Sequence, residues 1–155
     1  MMTAVPEWAT SWNKEDEALD VVRIDARRGL GVRTRRSFAA GETIHRFAGM
    51  VSETICQHSL QIDATRHISA TRYIGYLSHG CDPNARLDMA GFALIARRAV
   101  AAGDIVTIDY AETEDRLHRQ FACHCGAAAC RGWIHGRAEG PDDRGRAWLA
   151  DDDRT

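Results

Sequence analysis

Residues 121–132 read FACHCGAAACRG. Cys123, Cys125 and Cys130 form the spacing C-x-C-x4-C, and Gly126 permits the tight turn that lets thiolates close in sequence converge on one tetrahedral ion. Three thiolates leave a closed structural site one ligand short. Cys81, Cys56, His124 and His135 could each complete it, although His124, squeezed between two ligands, is expected to point away. Cys81 stands in SHGCDPN, residues 78–84, where Pro83 and the Asx residues Asp82 and Asn84 hold a rigid turn. It is the expected fourth ligand of one structural zinc ion. Reduced cysteines acting only as small buried hydrophobes would not crowd beside a glycine in this way. A metal held so would tie the C-terminal segment back to the middle of the chain.

Working outward, 155 residues suffice for one domain with its own core, and 45% hydrophobic with 27% charged residues is the balance of a globular protein. No apolar run approaches the roughly 18 residues a membrane helix needs, so no membrane partner is expected. The opening MMTAVPEWATSWNKEDEALD lacks the basic start and apolar centre of a secretory signal. A cytoplasmic location is expected. Five cysteines, an odd number, in that reducing compartment argue for metal chemistry over disulfides. The net charge of −2 gives no reason to expect direct nucleic-acid binding. Of the 20 basic residues all but Lys14 are arginine, which reads as the codon bias of a GC-rich, bacterial genome.

Along the chain, LDVVRI (19–24) is strand-like and RRGLG follows as a turn. GVRTRRSFAAGETIHRFAGMV (31–51) reads as paired strands around a turn at residues 39–42. Residues 71–77 are expected to make a helical turn or two before Pro83 enforces extended chain. FALIARR (92–98) and DIVTIDY (104–110) are further strands, and AETEDRLHRQF (111–121) is expected as a short amphipathic helix. The Gly- and Asp-rich end after residue 136 reads as a loose tail. The fold class is therefore mainly β, with few short helices.

Two catalytic readings fail on the residues themselves. Gly29-Leu30-Gly31 after a strand invites a dinucleotide-binding fingerprint, but its third glycine would fall at Thr34 and no crossover helix follows. Cys81 and His79 are two apart in an extended turn, a poor arrangement for a thiol nucleophile and its base. Tyr110, at the end of Ile105-Val106-Thr107-Ile108-Asp109-Tyr110, would alone read as a rim residue.

Taken in order, RGLGV (28–32), AAGETI (39–44), QIDAT (61–65), LSHGCDPNA (77–85), RRAVAAGDIVTIDY (97–110) and CHCGAAACRG (123–132) resemble a SET-domain methyltransferase with its post-SET zinc motif. The family patterns are G-x-G, N-H-S-C-x-P-N, a strand ending in D-Y, and C-x-C-x4-C-R-G. The resemblance implies small curved β-sheets of β-clip type with a pseudoknot, divided here into an N-terminal arm (1–18), a SET domain (19–120), a post-SET zinc segment (121–136) and a flexible tail (137–155). It implies methyl transfer from S-adenosylmethionine to an amine, with donor and acceptor entering from opposite faces. Gly29, Leu30 and Gly31 match the donor-contacting G-x-G. His79 matches the histidine whose backbone holds the adenine, Tyr110 the catalytic tyrosine, and Cys81, Cys123, Cys125 and Cys130 the zinc ligands. Tyr76 and Ser78 match neighbouring donor contacts, and Trp133 is expected to pack on the donor.

This chain departs from the pattern in places. The family's asparagine is Ser78, its serine is Gly80, and the arginine of R-F-I/V aligns with Gly75. Ile108 holds the Phe/Tyr position that helps set how many methyls are added. The expected acceptor is a protein or peptide lysine. A free amino acid or other small amine, or a non-catalytic SET fold kept as a peptide-binding module, remain alternatives, and nothing opposes a homo-oligomer.

Overall fold

A computed structural model describes residues 18–151. Twelve short strands dominate: β1 (Leu19–Asp25), β2 (Gly29–Thr34), β3 (Thr43–Arg46), β4 (Met50–Ser52), β5 (Leu60–Gln61), β6 (His67–Ser69), β7 (Ser78–His79), β8 (Ala85–Asp88), β9 (Ala93–Ala96), β10 (Ile105–Ile108), β11 (Phe121–Ala122) and β12 (Trp133–Ile134). They form sheets ordered β1-β2-β10-β7, β3-β9-β8 and β4-β6-β5, with β11-β12 as a separate pair. The mainly β expectation stands. No described helix is long and apolar enough to cross a membrane.

β10 organises the site. Val106 and Ile108 are at most 2% exposed, packed with Val32, Leu77 and Leu94 in the core. β10 runs antiparallel to β2 (Val106 opposite Val32) and parallel to β7 (Ile108 opposite His79). Parallel neighbours need a long crossover, and β8 and β9 supply it. Asn84 of C-D-P-N pins that crossover: its amide donates to Ile105 O (2.9 Å), and its Oδ1 accepts the Thr107 N–H (2.8 Å).

Three local expectations are corrected. The turn at residues 39–42 forms, with Gly41 at φ +83° and Glu42 N–H donating to Ala39 O, but its flanking strands part company. β2 joins β1 and β10, whereas β3 pairs with β9. Residues 111–121 are not a helix. Only a 3-10 turn forms, Tyr110–Glu112, because the next amides bond to side chains: Asp115 N–H to Gln61 Oε1 (2.7 Å) and Leu117 N–H to Glu139 Oε2 (3.0 Å).

The expected loose tail contains a packed helix, α1 (Asp143–Ala150), capped by Asp142 accepting the Gly145 N–H. Gly145 is buried because it lies on the Trp133 indole; a Cβ there would come within 2.2 Å of Nε1. Cys56, one of the candidate fourth ligands, is exposed. Of the N-terminal arm, residues 1–17 lie outside the described residues, as do residues 152–155.

Candidate functional site

The structure brings Cys81, Cys123, Cys125 and Cys130 together, their sulfurs all within 4.8 Å of one another. Tetrahedral zinc with Zn–S bonds near ~2.3 Å requires sulfurs about 3.8 Å apart, and Cys81 Sγ lies 3.9 Å from Cys123 Sγ. The geometry fits one four-thiolate metal site. Burial raises the Cys123 and Cys81 thiols. At Cys125 burial also pushes upward, but backbone amides including that of Ala127 outweigh it and bring the thiol down to about 7. Neither Cys56 nor His135 is in the cluster. His124 points away, as expected, its ring edge-on to Trp148 at 5.8 Å.

Beside the cluster lies a cavity of about 500 Å³, within the range of small-molecule sites. Cys123 and Cys125 form part of its wall, with Gly29, Leu30, Tyr76, Ser78, His79 and Tyr110 opposite. A second hollow, about 350 Å³, shares Arg28, Ser78, His79 and Cys125 with the first, so β7 separates the two. Gly31 does not line the cavity. Its lack of a Cβ admits Ser78 Oγ and Ile24, which a Cβ would meet at 2.6 and 2.4 Å. Ser78 Oγ occupies the space that Gly31 leaves and is buried there without a partner.

Tyr110 is enclosed by the cavity wall and by two rings, His79 (5.3 Å between centroids) and Phe121 (5.8 Å). Its hydroxyl donates to Leu77 O. Burial, reinforced by the charge of Glu114, drives its pKa far above that of free tyrosine. Tyr110 is therefore a neutral phenol whose oxygen lone pairs remain for other partners. It cannot serve as a base.

His79 joins the tyrosine to the cysteines. The Tyr110 N–H donates to His79 Nδ1 (3.2 Å), which places the neutral ring's proton on Nε2, 3.3 Å from Cys81 Sγ. Burial pushes His79 down to about 4 against the pull of Asp109, so the neutral tautomer is the relevant one. Arg131, from C-R-G, closes the circuit. Its guanidinium grips Asp109 through two bonds of 2.8 and 2.7 Å, and the Arg131 backbone N–H donates to Cys81 Sγ (3.4 Å). Burial alone would raise the Asp109 carboxyl, but the Arg131 and Ala111 hydrogen bonds outweigh it and hold it below its ordinary value.

Trp133 is not where a donor contact was expected. It lies outside the cavity lining, 6% exposed, bonded through Nε1 to Gln120 Oε1 (2.9 Å) and covered by Gly145 of α1. The site also contains residues that sequence reasoning missed. A Cβ at Gly75 would collide with His58 O at 2.7 Å, so no arginine fits that position. His58 lines the cavity there, bonded by Nδ1 to Gly75 O (2.9 Å) and packed on Tyr76 at 4.5 Å. Phe121 and Glu114 were missed too. An aromatic residue two positions before C-x-C was a signal for Phe121; for Glu114 there was none.

Residues 29–111 match the SET domain as a family. The human histone-lysine N-methyltransferase 2B is 26% identical over 145 residues, which is 77% of this chain and 5% of that protein. The methyltransferase flvH of Aspergillus flavus is 32% identical over 80 residues, covering 50% of this chain and 45% of that protein. A crystal structure of KRYPTONITE with mCHH DNA, an H3(1-15) peptide and SAH superposes with TM-score 0.60 at 26% identity, over 74% of this chain and 29% of that one. The chain spans less than half the length of each.

Proposed function

The chain belongs to the SET-domain family, and from that membership we propose that it is an S-adenosylmethionine-dependent N-methyltransferase acting on a protein or peptide lysine. The observation that carries the reading is Tyr110: a half-buried neutral phenol, its hydroxyl bonded to Leu77 O and its backbone N–H to His79, in a ligand-sized cavity whose wall includes Gly29 and Leu30. The SAH and H3 peptide bound by the KRYPTONITE structure support the donor class and the peptide acceptor. When bound, the donor supplies an activated methyl on a sulfonium.

Gly29 and Leu30, with Ser78 and His58, would hold the donor on one side of Tyr110. Tyr110 orients the reacting atoms with its free lone pairs, and alignment of this kind lowers the barrier substantially. Its neutrality keeps it from competing as a nucleophile. Ile108, buried beside it, offers no hydroxyl to hold a water, which leaves room for more than one methyl. Cys81, Cys123, Cys125 and Cys130 would hold one structural zinc, whose role is to keep the segment 121–134 against the cavity. The protein acts in the cytoplasm in this reading, and the domain divisions at residues 18, 120 and 136 are retained as working boundaries.

Titration calorimetry with S-adenosylmethionine, followed by labelled-donor assays on lysine peptides and on free lysine, tests the proposal. Donor binding with transfer to peptides is expected, and Tyr110→Phe should bind donor within twofold of the wild type while losing most of its turnover. Absence of donor binding would overturn the enzymatic reading. Turnover on free amines alone would overturn the peptide acceptor.

A further inference from the structure

Tyr110 cannot by itself hold a cationic substrate, since its phenol is neutral and its proton is committed to Leu77 O. The other polar side chains around the cavity are largely basic: Arg27, Arg28, His58, His118, Arg119 and His124. A primary alkylamine, with a pKa near ~10.4, arrives as an ammonium, and this rim repels it. Among the described residues lining the cavity, Glu114 is the one acid.

Glu114 is an unusual residue to find buried. It is 7% exposed, a state glutamate rarely adopts without a partner cation. Its amide donates to Tyr110 O (2.9 Å), so both side chains leave the same turn. The carboxylate accepts one backbone N–H, that of Gln61, shared between its oxygens at 2.9 and 3.2 Å. A carboxylate has room for about four such bonds. The adjacent Thr113 hydroxyl is the other local donor to this carboxylate, which still leaves room for a further partner. Positive charge reaches Glu114 only at longer range, from His67 on β6 and from Arg137, and the Arg137 guanidinium is already bonded to Asp115 (2.6 Å). Burial raises the Glu114 carboxyl, opposed by the Gln61 N–H and the Thr113 hydroxyl. A buried acceptor left this incomplete, on the wall of a ligand-sized cavity, calls for a cationic ligand.

We propose that Glu114 is the acceptor-binding residue of this cavity, its carboxylate holding the ammonium end of an alkylamine beside the Tyr110 hydroxyl. The inference rests on the methyltransferase reading for the meaning of that amine, but binding itself requires no turnover. Glu114 selects a cation over a neutral chain of equal length and sets affinity for the acceptor, not for the donor.

The test uses the full chain with butylammonium and butan-1-ol as probes, followed by NMR shifts of the Tyr110 ring, alongside donor titration. Wild-type protein should bind butylammonium at least tenfold more tightly than the alcohol. Glu114→Gln, which keeps an oxygen for the Gln61 N–H, should abolish that preference while the donor Kd stays within twofold. In peptide assays the variant should raise KM at least tenfold and change kcat far less. Equal binding of the two probes by the wild type, which needs no variant to fold, would overturn the assignment. So would an E114Q protein that keeps the preference. If the preference is present but no methyl is transferred, the amine site stands and the methyltransferase reading falls.

Discussion

Asp109→Asn should loosen the metal-binding segment without disturbing Tyr110. The Arg131 guanidinium makes two short bonds to Asp109, whose side chain is 13% exposed against 42% for the arginine. A fully exposed pair contributes ~0–1 kcal/mol, and hydrogen bonds to charged groups contribute ~1.5–3. A pair buried on one side and screened on the other falls between, at about 1–2 kcal/mol. Asparagine keeps the Oδ1 that accepts the Ala111 N–H (3.0 Å), so the turn carrying Tyr110 survives and only the link to Arg131 weakens. The Asp109 carboxyl is held below its ordinary value in the folded protein. Its contribution is therefore complete above the unfolded pKa of about 4, and it is lost only as pH falls through the lower folded value. An assay near neutral pH reads all of it. With ~1.4 kcal/mol per tenfold, local opening of residues 123–132 should rise about 5–30-fold. On zinc-loaded protein, release to a chromogenic chelator should accelerate by that factor, while Tm falls by roughly 2–8 °C. Unchanged release kinetics would refute the view that this pair fastens the segment.

Gly145→Ala would force a Cβ to within 2.2 Å of the Trp133 indole; overpacking (~1–3 kcal/mol) and a weakened Trp133–Gln120 bond (~1–2) outweigh the ~1 gained in helix propensity. The net loss of about 1–4 kcal/mol should lower Tm by roughly 2–16 °C, whereas Gly140→Ala, with nothing within 4 Å, should be near neutral; equal melting of the two would contradict the packing of α1. Elemental analysis should find close to one zinc per chain in the wild type and a clear loss in Cys81→Ser, and full occupancy in that variant would remove Cys81 from the site. Chelation should weaken donor affinity at concentrations that leave the far-ultraviolet β signal intact, because Cys123 and Cys125 line the cavity and no ligand cysteine belongs to the core cluster; simultaneous loss of both would show that the metal supports the whole fold.

The cysteine site was legible because three of its ligands are neighbours in sequence, and Pro83 and Asn84 flag the rigid turn that carries the fourth. The strands were legible because alternation of buried and exposed residues is local. Their partners were not. Alternation says which face a residue occupies but not which strand lies beside it, so residues 31–51 read as one hairpin although β2 and β3 belong to different sheets. The pattern of AETEDRLHRQF satisfies a helix, yet Gln61 and Glu139 capture its amides from 54 and 22 residues away. Composition likewise hid α1. Asp142 and Gly145 look like tail residues until the one caps a helix and the other fits beneath an indole.

The same distinction explains why Tyr110 could be found from sequence and Glu114 could not. Tyr110 is marked by a short pattern, and the D-Y and C-R-G patterns mark a single contact. Asp109 and Arg131 are 22 residues apart and bond directly, with His79 between Tyr110 and Cys81. Chain order thus encodes one connected arrangement, in which the residue before the tyrosine fastens the residue after the last cysteine. Glu114 belongs to no such pattern. Its position matters only because burial strips it of water while leaving part of its hydrogen-bonding capacity unmet, and burial is a property of the folded chain. Where recurrent motifs supply the donor side and the clasp, the choice of acceptor falls to residues like Glu114, whose environment and not whose neighbours in sequence gives them a role.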